Sequence, residues 1–97
     1  MSNFRWLNKQ GVECDAGFVL QSMDRYYYHY VEAGKTLKVT VEPCRESGRY
    51  FEEISLSSLS TWHAPHHGLS LSLQEQARIK ANITEALRFM NIDHRYV

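Results

Sequence analysis

Three imidazoles fall within five residues, His63, His66 and His67, inside the stretch Thr61-Trp62-His63-Ala64-Pro65-His66-His67-Gly68. Imidazole is a good metal ligand, and His63 and His67 at i, i+4 would share a face if the segment were helical. Pro65 opposes a helix there, since it lacks an N–H and clashes with the preceding turn. No carboxylate or cysteine sits nearby in sequence to complete a ligand set. The expectation is a loop without a bound metal, and no cofactor. The same histidines could serve acid–base chemistry, as in a metal-independent ribonuclease or a small hydrolase. That chemistry needs a second catalytic group and a cationic stabiliser. His29 and Arg49 are candidates, but no spacing singles them out.

Gly34-Lys35-Thr36 imitates the end of a phosphate-binding loop, but the first glycine of that pattern falls on His29. A hairpin turn explains this glycine and lysine better. The densest aromatic run is Tyr26-Tyr27-Tyr28-His29-Tyr30. Alternate strand residues face opposite sides, so half of the run meets the core and half meets solvent or a partner. Tyrosine favours interfaces because a large rigid ring carries a polar tip. Cys14 and Cys44 form no CxxC pair and read as ordinary reduced, half-buried thiols.

The elements that must position these groups follow from pattern. Ninety-seven residues, 43% of them hydrophobic, make one folded domain over 1–97. Acidic and basic residues number eleven each, and the two halves balance as well. No basic stripe is present for a phosphate backbone, so a direct nucleic-acid partner is not expected. The first residues, Met1 to Trp6, lack an apolar leader region, and no run approaches the roughly 20 apolar residues of a membrane span. A cytoplasmic protein is expected, with neither leader nor membrane contact.

Phe4 and Trp6 permit a short strand, and Phe18 to Met23 forms another. Tyr26–Val31 is β-favouring, and Leu37, Val39 and Val41 alternate strictly, which gives a half-buried strand that Pro43 ends. Gly34 suits a type I turn with a G1 bulge between these two strands. That register pairs Val31 with Lys35. It buries Tyr27, His29 and Val31 and exposes Tyr26, Tyr28 and Tyr30. A one-residue slip would reverse the faces; the first register is preferred because it leaves phenol hydroxyls in water. Arg49 to Leu56 is the next strand, with Tyr50, Ile54 and Leu56 on one side. Trp62 reads as a core residue at a helix–sheet seam. Ser72-x-x-Glu75 is a capping box. It opens a helix from Leu73 to about Met90, whose stripe is Ile79, Ile83, Ala86, Leu87 and Met90. Asn91 caps its end, and Tyr96 and Val97 dock as a tail or a last short strand. The fold class is therefore α+β, a small antiparallel β-meander with one long C-terminal helix packed on one face.

The order of these features resembles a known family. A Tyr-rich strand, a Gly-Lys hairpin, Leu37-x-Val39-x-Val41, Ile54-x-Leu56, Trp62-x-x-Pro65, Ser72-x-x-Glu75 and the helix Ile79-x-x-x-Ile83-x-x-Ala86-Leu87 are similar to small bacterial immunity proteins. Genes for such proteins lie beside toxins of contact-dependent growth inhibition and other polymorphic systems. The resemblance spans Phe18 to Met90. It implies an antidote, not an enzyme, that binds a cognate toxin domain and blocks its active site. Such toxins are often nucleases with basic clefts, which a neutral chain matches only through a local cluster such as Glu52-Glu53. The expected partner-contact residues are Tyr26, Tyr28, Tyr30, Glu52, Glu53, His63, His66 and His67. Two other readings are a small His-dependent hydrolase or nuclease, and an accessory domain whose aromatic strand edge drives weak homo-oligomerisation.

Overall fold

In a computed structural model, residues 3–97 build a seven-stranded sheet and one α-helix. The strands are β1 (Phe4–Asn8), β2 (Gly11–Cys14), β3 (Phe18–Asp24), β4 (Tyr27–Glu32), β5 (Lys35–Glu46), β6 (Arg49–Ile54) and β7 (His94–Tyr96), with α1 over Leu73–Phe89. Spatial order follows chain order. Neighbours from β1 to β6 are antiparallel, as tight turns require, whereas β7 runs parallel to β6 because α1 lies between them. The class is α+β as expected. The helix is 17 residues long and is followed by β7, which realises the docked tail at Tyr96. Met1 and Ser2, where the leader reading begins, lie outside the described residues.

The capping box forms as read: the Glu75 N–H donates to Ser72 Oγ at 3.1 Å and the Ser72 N–H donates to Glu75 Oε1 at 3.0 Å. Ile79, Ile83, Ala86 and Leu87 are buried and join one core with Val12, Leu20, Leu37, Val39 and Ile54 of the sheet. Asn91 closes the helix at φ 62°, the left-handed position that Asn tolerates. Trp62 is buried, with the Lys35 ammonium 4.9 Å from its ring centre. No helix among the described residues is long and apolar enough to cross a membrane.

Two expectations about the hairpins are corrected. The β4–β5 turn is the two-residue Ala33-Gly34, with φ of 52° and 76°, the positive pair that a type I′ turn requires. Glu32 therefore faces Lys35, Tyr30 faces Leu37 and Tyr28 faces Val39. The register is the slipped one: Tyr28 and Tyr30 are buried, while Tyr27, His29 and Val31 lie on the other face. Pro43 also does not end its strand, for β5 continues to Glu46. Val41 N–H bonds back to Tyr26 on the β4 side, and Thr40 C=O accepts from Ser55 on the β6 side. Alternation thus points the missing N–H of Pro43 away from β6 and past the end of β4, where no ladder bond is lost.

β5 is shared between its neighbours. Residues Lys35 to Thr40 pair with β4, and Val41 to Glu46 pair with β6. This stagger leaves the helix-side face of β6 open beyond the last turn of α1.

Candidate functional site: an aromatic groove with a carboxylate floor

The groove lies at the C-terminal end of α1 and encloses about 500 Å³. Trp6 of β1, the β1–β2 turn residues Lys9 and Gln10, Ser22 to Arg25 at the end of β3, and Met90 and Ile92 after the helix form its walls. Tyr28, Tyr50 and Glu52 complete the lining. An Asx turn sets the first rim, since the Gln10 N–H donates to Asn8 Oδ1 at 2.8 Å. At the β3–β4 turn, on the same end of the sheet, the Tyr26 N–H donates to Asp24 Oδ1 at 2.7 Å.

Glu52 is the one buried charged residue among those described, at 8% exposure. Its parity explains why it points inward: Tyr50, Glu52 and Ile54 are alternate residues of β6 and share the helix-side face. Tyr28 hydroxyl donates to Glu52 Oε1 at 2.6 Å and Tyr50 hydroxyl donates to Oε2 at 2.9 Å. Tyr28 stands opposite Val39 and Glu52 opposite Pro43, so the first bond crosses β5 on the diagonal. Loss of water around its ring, then the bond to Glu52, push the Tyr50 phenol up to about 12. The same causes push Tyr28 well above the usual phenol range. Both hydroxyls are held as donors at neutral pH.

Large apolar groups are exposed around this floor. Trp6, Met23 and Tyr50 are 49%, 46% and 47% exposed, and Tyr26, which follows the lining residue Arg25, is exposed as well. Trp6 is held by a tilted contact with Phe89 of α1, ring centres 5.7 Å apart, and Phe89 in turn stacks on Phe4 at 5.3 Å. Exposed aromatics anchored in this way form a rigid patch, the kind of surface that partners use.

The residues expected to contact a partner separate. Tyr28 and Tyr30 are not exposed; Tyr30 hydroxyl donates to Glu32 Oε1 at 2.6 Å and accepts from Asn82 Nδ2 at 3.0 Å. Glu52 and Glu53 do not form one acidic cluster, because adjacent strand residues face opposite sides. Glu53 instead binds Arg95, whose Nε lies 2.8 Å from Oε2. Of the Tyr run, only Tyr26 is exposed as expected, at 55%.

His63, His66 and His67 lie in a loop closed by a bridge between Thr61 and Ser70. His63 and His67 are exposed and His66 is half-buried. His63 N–H donates to Thr36 C=O at 2.7 Å, which brings its ring to 6.2 Å from that of His29 on the outer face of the sheet. Loss of water, then the charges of His63 and Lys38, hold His29 below its ordinary value of 6.5. No group of three or more His, Cys, Asp or Glu is placed to hold a metal ion among the described residues. Ser58, which lines the cleft next to His63, accepts from the Thr40 N–H at 3.1 Å and donates to Ser55 C=O at 2.6 Å. Both of its hydrogen-bonding roles serve the backbone. A second cleft, between Arg49, Asp93 and Arg95, is lined by exposed ion pairs that satisfy one another.

The sequence reading missed Trp6, Met23, Arg25 and Tyr50 as site residues. One signal was available: Tyr50-x-Glu52-x-Ile54 sets Glu52 on the same face as Ile54. Comparison with known proteins yields no match to a family model, a curated protein or a solved structure.

Proposed function

We propose that the protein is a binding protein, an antidote that engages a toxin domain encoded beside it and blocks that toxin's active site. The observation that carries the reading is the groove, in which Trp6, Met23 and Tyr50 stand exposed around a polar floor. Aromatic anchors of this kind supply most of the energy at specific interfaces. The order of strand, hairpin and helix motifs, similar to that of small immunity proteins, names the class of partner. In this reading the protein acts in the cytoplasm of the cell that makes the toxin, turns nothing over and needs no cofactor. The contact surface is the groove, with Glu52 as its floor, together with Tyr26, rather than the whole tyrosine run first expected, since Tyr28 and Tyr30 are buried.

Co-expression with the toxin domain encoded next to it is the test. The expected result is normal growth and a complex that co-purifies. A Trp6→Ala, Met23→Ala, Tyr50→Ala variant should keep its fold, because all three side chains are about half exposed. Each anchor lost should weaken binding by about 1–4 kcal/mol. Growth arrest in the presence of abundant folded wild-type protein overturns the antidote reading. Full protection by the triple variant overturns only the proposed surface.

A further inference from the structure

Glu52 is held in an unusual state. It is almost fully buried, yet none of the four ion pairs among the described residues includes it. Its two neighbours are phenols, which donate hydrogen bonds but carry no positive charge. Each carboxylate oxygen can accept a second hydrogen bond after its phenol is counted. A buried carboxylate is ordinarily paired with a cation, since the desolvated charge is otherwise expensive. Glu52 lines the groove, and so do Trp6 and Tyr50, each about half exposed. An aromatic wall over a carboxylate floor is the chemistry that receives a desolvated cation.

We infer that this groove takes the cationic side chain of an arginine or lysine from the partner protein, with Glu52 as its counter-ion and Trp6 and Tyr50 as its walls. The inference rests on the reading of the chain as a binding protein, but not on which protein it binds. The groove's own cations do not fill the place. Arg25 has its guanidinium carbon 5.8 Å from the ring centre of Tyr26 and its charge reaches the Tyr50 phenol, but it makes no ion pair with Glu52; Lys9 is exposed on the β1–β2 turn. Asp24, the remaining charged residue of the lining, accepts the Tyr26 N–H at Oδ1 and is exposed, so its charge is screened by water. Lys9 and Arg25 stand at the mouth and oppose an entering cation, so binding is weaker with them than without. A phenol pair held protonated well above neutral pH keeps both donors on Glu52 and leaves the carboxylate to balance the guest.

The test is a titration of the full-length protein followed by amide and indole NMR shifts, with acetyl-arginine amide and acetyl-lysine amide as probes. Acetyl-citrulline amide, which matches arginine in shape but is neutral, is the control. The expected result is saturable shifts at Trp6 indole, Tyr50 and Glu52, with at least one cationic probe binding about tenfold more tightly than citrulline amide, as a charge-assisted bond implies. Trp6→Ala should weaken that probe about threefold, and Arg25→Ala should strengthen it. Glu52→Gln should abolish the preference for charge. Equal binding of citrulline amide, or no saturable shift at the groove with either cation, overturns the inference. The citrulline comparison uses the wild-type chain, so it decides the matter even if Glu52→Gln fails to fold. Probes that bind while co-expression fails to protect would show a cation site on a protein that is not the antidote. The converse would show an antidote that uses the groove differently.

Discussion

At Tyr28 the ring is buried and its hydroxyl meets Glu52 at 2.6 Å, so the residue serves stability before it serves any partner. Removing only that oxygen, as in Tyr28→Phe, leaves Glu52 with one donor. The expected loss is about 1.5–3 kcal/mol, the range for hydrogen bonds to charged groups. Tyr50→Phe removes the other donor at a half-exposed rim, where water can replace it, and should cost less than Tyr28→Phe. Urea unfolding of both variants checks the order, and an equal loss would mean that the two bonds share the same environment. Tyr28→Ala should destabilise by about 3–5 kcal/mol, as for other buried aromatics. The expectation that Tyr28, Tyr30 and Glu52 face solvent failed for a definite reason. It treated a phenol hydroxyl as something the core rejects, whereas Tyr28 and Tyr30 each find a carboxylate at 2.6 Å. Tyr28 meets Glu52 across 24 positions, which a single sequence does not display, whereas Tyr30 meets Glu32 only two residues further along the same face of β4, a signal the sequence did carry.

The elements themselves were far more legible. The capping box, the stripe from Ile79 to Leu87 and the alternation of Leu37, Val39 and Val41 are local patterns, and each appears where it was read. What local pattern did not settle was turn length. Ala33-Gly34 and Ser47-Gly48 are both two-residue turns with a non-glycine first residue at φ 52°. A side chain in that conformation is disfavoured, which hides a type I′ turn behind an unremarkable sequence. Asn is the preferred residue there. Ala33→Asn, which makes the turn Asn-Gly, should therefore stabilise by about 0.5–1 kcal/mol and raise Tm by about 2–8 °C. A lower Tm would mean that the β4–β5 turn is not of this type. The helix has its own test. Ile83 is 1% exposed at the centre of the stripe, so Ile83→Asp buries an unpaired carboxylate at a cost of several kcal/mol and should unfold the domain. Normal melting of that variant would remove α1 from the core.

Over the whole molecule the charges cancel, eleven against eleven, so acid sensitivity must come from particular groups rather than net repulsion. Partial burial pushes the Glu32 carboxyl up, but its bonds from Arg78 and Tyr30 outweigh this and hold it below its ordinary 4.5. The Arg95 guanidinium lowers Glu53, and the Ser72 backbone N–H lowers Glu75. For each of these acids the unfolded chain binds the proton first. Their contribution is complete above about pH 4.5 and is lost as pH falls through the lower folded values. His29 adds an earlier step of the same sign. Its folded pKa lies below 6.5, so the unfolded chain takes up a proton in that window and stability starts to fall below pH 6.5. The stability profile should thus descend in two stages as pH drops, a shallow one below 6.5 and a steeper one below 4.5. Urea midpoints at pH 7.5, 5.5 and 3 (about one sampling point per stage) measure it. His29→Gln should erase the first stage and leave the second, whereas Glu32→Gln should reduce the second and leave the first. If the first stage survives in His29→Gln, the outer-face histidine pair is not its source. If the Glu32→Gln profile matches wild type below pH 4.5, the Tyr30–Glu32–Arg78 link does not tie helix to sheet as its geometry implies.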